Sequence, residues 1–165
     1  MSGVQAVVTE PVTREDFLQY YCNLTLDPNT ANRSLHMSEG NRKVERRVGP
    51  PQLYPDHPER FEEEWQVLCR EGVSGRCYWE VEWSGEEWVN IAVAYKTISR
   101  RGEQDDCWFG NNNQSRRFSA STVETFVSHN NKQTDLPLVA SSRVGVYVDH
   151  MYGAKGGLLG LLQHL

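Results

Sequence analysis

Two glutamates, Glu80 and Glu82, have the residue type and spacing that best fit catalysis. They belong to segment 75–84, in which apolar and polar residues alternate, as they do in a half-buried strand. Two carboxyl groups on one face of such a strand lie about 7 Å apart, a separation that suits glycoside hydrolysis. The segment therefore allows a lectin-like sandwich that binds or hydrolyses carbohydrate, although Ser84 stands where some sandwich glycosidases carry a further acid. A solvated or ion-paired strand face explains the same residues without catalysis.

Other chemistry finds little support in the sequence. There is no Gly-x-Ser-x-Gly elbow and no glycine-rich phosphate loop. The five histidines show no metal-ligand spacing, and Asp105 with Asp106 is too small a set for calcium. We therefore predict a protein that is not an enzyme and needs neither cofactor nor metal.

Composition sets the class of protein. The chain has 165 residues, of which 38% are apolar and 24% charged, as in a single globular domain. Its net charge of −5 argues against nonspecific nucleic-acid binding. No apolar run approaches the ~20 residues of a membrane helix. We expect a cytoplasmic protein that binds neither nucleic acid nor membrane, with its four cysteines as buried thiols; a secreted chain would allow three disulfide pairings.

The alternation in segment 75–84 also predicts the scaffold. Cys77, Trp79, Val81 and Trp83 share one face of the strand, which must be buried. Further strands are predicted around Leu35 and Met37, around Val44 and Val48, and at 65–70, 88–95, 117–121, 123–128 and 144–148. Thr13 and Asp16 predict the cap of a helix of about two turns, with Phe17, Leu18 and Tyr21 on one face. Short strands separated by turns are typical of a β-sandwich.

Three loops carry the side chains that suit protein recognition. They are residues 49–64, 96–109 and 128–135, and they contain aromatic, arginine and amide residues. Such residues on loops held by a rigid sandwich are common in binding sites. The alternative is that Phe61 and Trp108 anchor their loops in the core. The candidate contact residues are Tyr54, His57, Arg60, Arg100, Asp105, Trp108, Asn130 and Lys132.

Three short motifs resemble the signature of the PRY–SPRY domain. They are Leu26-Asp27-Pro28, Trp79-Glu80-Val81-Glu82 and Val148-Asp149-His150, in the family's order. The phrases at 24–31, 38–44, 54–61 and 67–70 resemble the versions in fish tripartite-motif ubiquitin ligases, NACHT–leucine-rich receptors and stonustoxin-like proteins. The resemblance covers about residues 14–150.

The resemblance implies an all-β fold, a bent antiparallel β-sandwich with a short N-terminal helix. It also implies a non-catalytic module that binds protein targets through variable loops, in innate immunity or as the substrate-recognition part of a ubiquitin ligase. The signature residues, Leu26 to Pro28, Trp79 to Glu82, Val148 and Asp149, would serve the fold. We expect a leader at 1–13, a PRY part at 14–64 and a SPRY part at 65–150.

The end of the chain departs from the family. The third motif ends in His150 where the family has tyrosine, and a Gly/Leu-rich tail, 151–165, replaces the strands that follow in the family. Loss of those strands would expose a sheet edge and an apolar face. The sequence thus predicts a truncated domain of marginal stability.

Overall fold

Strands dominate the part of the chain that a computed structural model describes, residues 10–85, 87–102 and 104–150, with 158–164 as backbone only. None of its helices is long and apolar enough to span a membrane. The elements are α1 (Arg14–Leu18), β1 (Leu35–Ser38), β2 (Lys43–Arg46), β3 (Gly75–Glu82), β4 (Val89–Tyr95), α2 (Gln104–Cys107), β5 (Ser115–Ala120), β6 (Thr125–His129), β7 (Lys132–Asp135), β8 (Arg143–His150) and β9 (Leu158–His164).

The strands form three antiparallel sheets. β1 pairs with β2, β3 pairs with β8, and the third sheet has the order β7-β6-β5-β4-β9. The predicted antiparallel β-sandwich is confirmed. The β3–β8 sheet faces one side of the five-stranded sheet, since Ile91 and Phe118 pack with Val144 and Val146.

β4 is covered on both faces. Ala92 and Ala94 pack against Leu35, Phe61 and other residues of the N-terminal half. The alternate residues of β4, Val89 and Ile91 among them, face β3 and β8. This explains why β4 is apolar at nearly every position, as predicted. Its one polar residue, Asn90, is buried and accepts a 2.6 Å hydrogen bond from the Ser119 hydroxyl.

The outer face of β3 is less wet than expected. The predicted capping box of α1 is present, with Thr13 and Asp16 each bonding the other's backbone. However, α1 has only five residues, and it covers β3 through Phe17, whose ring stacks on Tyr78 at 5.4 Å between centroids. The expected helix face was partly wrong, because Leu18 and Tyr21 are 36% and 55% exposed.

Segment 65–70 is not a strand. Gln66, Val67, Leu68 and Cys69 are all buried, whereas a strand with one wet face would bury every second residue. Its backbone bonds instead to the loop at 25–32, for example from the Asp27 amide to the Leu68 carbonyl at 2.8 Å. The prediction failed because the segment pairs with an irregular loop, and the pairing amounts to an isolated bridge between Leu26 and Cys69.

Part of the tail, for which the sequence predicted no element, forms β9, whose backbone pairs with β4 from Val89 opposite His164 to Tyr95 opposite Leu158. One further expectation needs correction. Cys22 and Cys77 form a disulfide, not two thiols, because residues 20–22 run beside β3 and exchange backbone hydrogen bonds with Tyr78. The other two cysteines, Cys69 and Cys107, are buried as expected.

Candidate protein-recognition surface

A buried arginine shapes loop 49–64. Arg60 is only 1% exposed. Its guanidinium donates to the carbonyls of Pro28 and Ala31, both at 2.7 Å, and to that of Pro55 at 2.7 and 3.2 Å. It also lies over the Tyr54 ring, 5.0 Å from the centroid. Four prolines leave this loop without a strand partner, so Arg60 supplies the cross-links that a sheet would otherwise provide.

Loop 96–109 is held in a similar way. Arg100, 9% exposed, donates to the carbonyls of Lys96, Ile98 and Glu59. Burial lowers the pKa of its guanidinium from the usual value. The end of the loop is fixed by Gln66, which donates to the Cys107 carbonyl at 2.8 Å and accepts from the Phe109 amide at 3.0 Å.

These two loops form one continuous surface. Arg101 donates to the Glu62 carboxylate at 2.9 Å across the junction. Beneath it, the rings of Phe61 and Phe109 meet edge to face at 5.3 Å. Both phenylalanines are fully buried, so Phe61 anchors its loop in the core.

The third predicted loop, 128–135, is a hairpin. β6 and β7 are joined at Asn130 and Asn131, which have φ values of 52° and 63°. Two successive residues with positive φ make the tight turn that matches strand twist, and asparagine tolerates it. The turn amides donate to the carbonyls of Asn112 and Gly110 at 3.2 Å each. The hairpin is thereby joined to the end of loop 96–109.

The eight candidate contact residues differ in accessibility. Asp105, Asn130 and Lys132 are exposed. Tyr54, His57 and Trp108 are half-buried, and each also supports its loop: the Tyr54 hydroxyl donates to Leu35 at 2.8 Å, His57 accepts from the Glu59 amide, and the Trp108 ring faces Arg117 at 5.2 Å. Arg60 and Arg100 lie inside the loops and position them.

The exposed part of the two joined loops is acidic, which the sequence reasoning missed. Asp56, Glu62 and Glu63 line a shallow depression with Arg101, and Asp105 and Asp106 lie exposed on α2. Behind them, burial and the neighbouring Glu63 raise the pKa of the Glu64 carboxyl. The run of glutamates at 62–64 was visible in the sequence. A run of charged residues does not, however, predict which other loop lies beside it in the folded protein.

Glu80 and Glu82 are not arranged as a catalytic pair. Glu80 accepts from Arg14 at 2.7 and 3.2 Å and from the Tyr78 hydroxyl at 2.9 Å, and Arg143 lies 3.3 Å away. The Arg14 hydrogen bonds lower the pKa of Glu80, which is opposite to what a general acid needs. Glu82 is exposed. The pair therefore gives no support to a glycosidase.

The other signature residues support the fold. Leu26 and Trp79 are each 7% exposed within the core. The Asp27 carboxylate accepts from the Asn29 amide at 3.0 Å, which shapes the turn after Pro28. On β8, Val148 packs against the β3 core, and Asp149 pairs with Arg76 at 3.4 Å.

Comparison with known families matches this architecture. The family model of the SPRY-associated domain, PRY, matches residues 24–73, and that of the SPRY domain matches residues 76–154. The chain belongs to the PRY–SPRY family. SPRY domains are protein-interaction modules that are generally non-catalytic, so the PRY–SPRY chain is a protein-interaction module.

Its relatives fall into two groups. The chain is 39% identical to the beta subunit of stonustoxin from Synanceia horrida, over 90% of its own length and 21% of that protein. It is 36% identical to mouse (Mus musculus) tripartite motif-containing protein 16, over 91% of its length and 26% of that protein. The PRY–SPRY chain thus spans about a fifth to a quarter of these relatives.

Solved structures show the same fold. The stonustoxin structure superposes with a TM-score of 0.82 at 29% identity, covering 91% of this chain and 28% of that one. The TRIM65 PSpry domain superposes with a TM-score of 0.77 at 24% identity, covering 97% of this chain and 95% of that one.

Proposed function

We propose that this PRY–SPRY chain recognises protein targets through the surface made by loops 49–64 and 96–109, whose exposed part is acidic, and by the adjoining β6–β7 hairpin. The observation that carries the proposal is their contiguity: Arg101 joins the first two loops, and the Asn130–Asn131 turn joins the third. Rigid loops lose little conformational entropy on binding. The exposed carboxylates select a target segment that carries lysine or arginine.

Two relatives support a proposal for the biological setting. A tripartite motif-containing protein and an E3 ubiquitin-protein ligase, TRIM11, are among them. We infer that the chain selects a substrate while other domains transfer ubiquitin, in innate immunity and in the cytoplasm. A reducing cytosol would open the Cys22–Cys77 disulfide to two thiols, which alkylation of a cell extract followed by mass spectrometry would reveal.

The test compares the partners captured by two charge-reversal variants, one on the acidic surface and one away from it. Glu62→Lys with Glu63→Lys reverses two exposed charges on the acidic surface, and Glu124→Lys reverses one on the β5–β6 turn. Both variants should fold as the wild type does, since surface substitutions change stability little. Partners lost by the first and kept by the second support the proposal. An unchanged set of partners contradicts it.

A role within a larger toxin-like protein is the second candidate, favoured by the stonustoxin superposition. It predicts that the protein that carries this domain lyses cells. A parent that lacks lytic activity but captures targets through the acidic surface leaves only the first candidate.

A further inference from the structure

β8 has an unpaired edge. The Trp83 amide bonds to the Ser142 carbonyl across the β3–β8 ladder, which fixes the alternation of the antiparallel pair. The amides and carbonyls of Arg143, Gly145, Tyr147 and Asp149 therefore point away from β3. Among the described residues, no backbone group bonds to this edge, although the Arg143 amide donates to the Ser141 hydroxyl at 3.1 Å.

The unpaired edge opens into an apolar cleft of about 520 Å³, within the usual size of binding clefts. Val144 and Val146 form its floor and Phe118 and Val127 its roof. All four are only partly shielded, and Val127 is 37% exposed. β4 and β5 already cover β8. The next strands of the same sheet, β6 and β7, therefore extend beyond the unpaired edge of β8. The space between them and the plane of the β3–β8 sheet is wide enough for one additional strand beside β8.

The cleft is basic. Arg116, Arg117, His129 and Lys132 line it, and no aspartate or glutamate among the described residues does. Arg117 is occupied by the Phe109 carbonyl and the Ser119 hydroxyl. Arg116 and Lys132 are exposed and form no ion pair within the described part of the chain.

We propose that the β8 edge binds an extended segment of another protein by strand addition. The segment pairs with Gly145 and Tyr147 through its backbone, points alternate apolar side chains into the cleft, and carries acidic residues that meet Arg116 and Lys132. Backbone pairing supplies affinity in this mode, and the alternate side chains supply specificity.

A second copy of this chain does not fit the same edge. Antiparallel pairing of β8 with its copy places a two-fold axis perpendicular to the sheet, so both five-stranded sheets lie on the same side. Since sheets pack about 10 Å apart, the overhanging β6 and β7 of the two copies would occupy the same layer. A single extended segment carries no second layer of strands, so it fits the edge without this clash.

The test uses the full chain and a synthetic peptide as long as β8, alternating valine and threonine with aspartate at both ends. We expect the peptide to bind, to raise the Tm, and to slow amide exchange at Gly145 and Tyr147. A peptide with N-methyl groups on the pairing edge should not bind, because it lacks the donors. A peptide with lysine at both ends should bind more weakly.

Matched variants locate the site. Val127→Lys, in the roof, should abolish binding, whereas Val123→Lys, on the β5–β6 turn, should not. Lys132→Glu should weaken binding about fivefold, as for one exposed charge pair, and Lys96→Glu should leave it unchanged. The Glu62→Lys/Glu63→Lys variant should bind the peptide normally, which separates this proposal from the loop surface.

Three results would overturn the proposal. One is no peptide binding by a chain that unfolds cooperatively, and another is equal binding of the N-methyl peptide. The third is full protection of the Gly145 and Tyr147 amides before peptide is added. Sedimentation would then show whether a second copy covers the edge.

Discussion

The ring of Tyr78, on β3, occupies the space that a side chain at Gly145, on β8, would need. A Cβ at Gly145 would lie 2.7 Å from Cε2 of Tyr78 and closer still to its hydroxyl oxygen. In this position the Tyr78 hydroxyl donates to Glu80 at 2.9 Å, and the Tyr78 ring stacks on Phe17. The missing side chain therefore lets α1, β3 and β8 pack together.

Gly145→Ala should destabilise the protein by about 1–3 kcal/mol, as overpacked sites do. The measurement is chemical unfolding of a double-mutant cycle with Tyr78→Ala. In the Tyr78→Ala background the alanine at 145 has room, so the second substitution should cost much less. Equal costs in both backgrounds would show that Tyr78 is not the obstacle.

The stability of the protein should depend on pH through Glu80. Its pKa is lowered in the folded state, chiefly by the hydrogen bonds from Arg14. A carboxyl whose pKa is lower in the folded than in the unfolded state stabilises the protein at pH values above its unfolded pKa of about 4.3. This stabilisation is lost as the pH falls through the pKa of the folded state.

Glu80→Gln should therefore lower stability at neutral pH and flatten the loss of stability below about pH 4.3. Glu82→Gln, on the same face of β3, is the matched control and should keep the wild-type profile. Thermal unfolding at several pH values measures both. Some acid sensitivity will persist in Glu80→Gln, because Asp16, Glu45 and Glu71 also have lowered pKa values.

Arg60→Ala should be strongly destabilising despite its place in a loop. It would remove the guanidinium donor from the carbonyls of Pro28, Ala31 and Pro55, at a cost of about 2–4 kcal/mol. Arg60→Lys should not restore stability, since one ammonium cannot reproduce the guanidinium fork. Arg101→Ala, which removes an exposed pair with Glu62 and a 3.5 Å hydrogen bond to the His57 carbonyl, should cost about 0–1 kcal/mol. Comparable losses for Arg60→Ala and Arg101→Ala would contradict the assigned role.

The difference between Arg60 and Arg101 shows where sequence reasoning stops. Both arginines occupy predicted loops, and nothing local distinguishes the one that is 1% exposed from the one on the surface. Their fates depend on carbonyls contributed by distant segments. By contrast, the burial of Trp79 and of both faces of β4 follows from side-chain periodicity, so it could be predicted.

Two other missed features differ in whether the local sequence could have shown them. The Asn130–Asn131 turn carried a local hairpin signal, so β7 was predictable in principle. Segment 65–70 was not, because its alternation is that of a strand while its partners are the loop backbone at Thr25, Asp27 and Asn32. Alternation of apolar and polar residues predicts that one face of a segment is buried. It does not predict which part of the chain covers the other face.

Trp79→Ala should cost about 3–5 kcal/mol, as for other buried aromatic side chains. Trp79 is 7% exposed and packs with Val73 and Cys77 on its own side and with Val146 and Val148 on β8. Since Trp79 lies outside the acidic surface, the folded fraction of the variant should bind loop targets with wild-type affinity.

Val123→Ala, at an 81% exposed position, is the control and should change stability by less than about 0.5 kcal/mol. Urea unfolding and target binding below the transition separate the two effects. Reduced affinity in the fully folded variant would mean that β3 contributes to recognition directly.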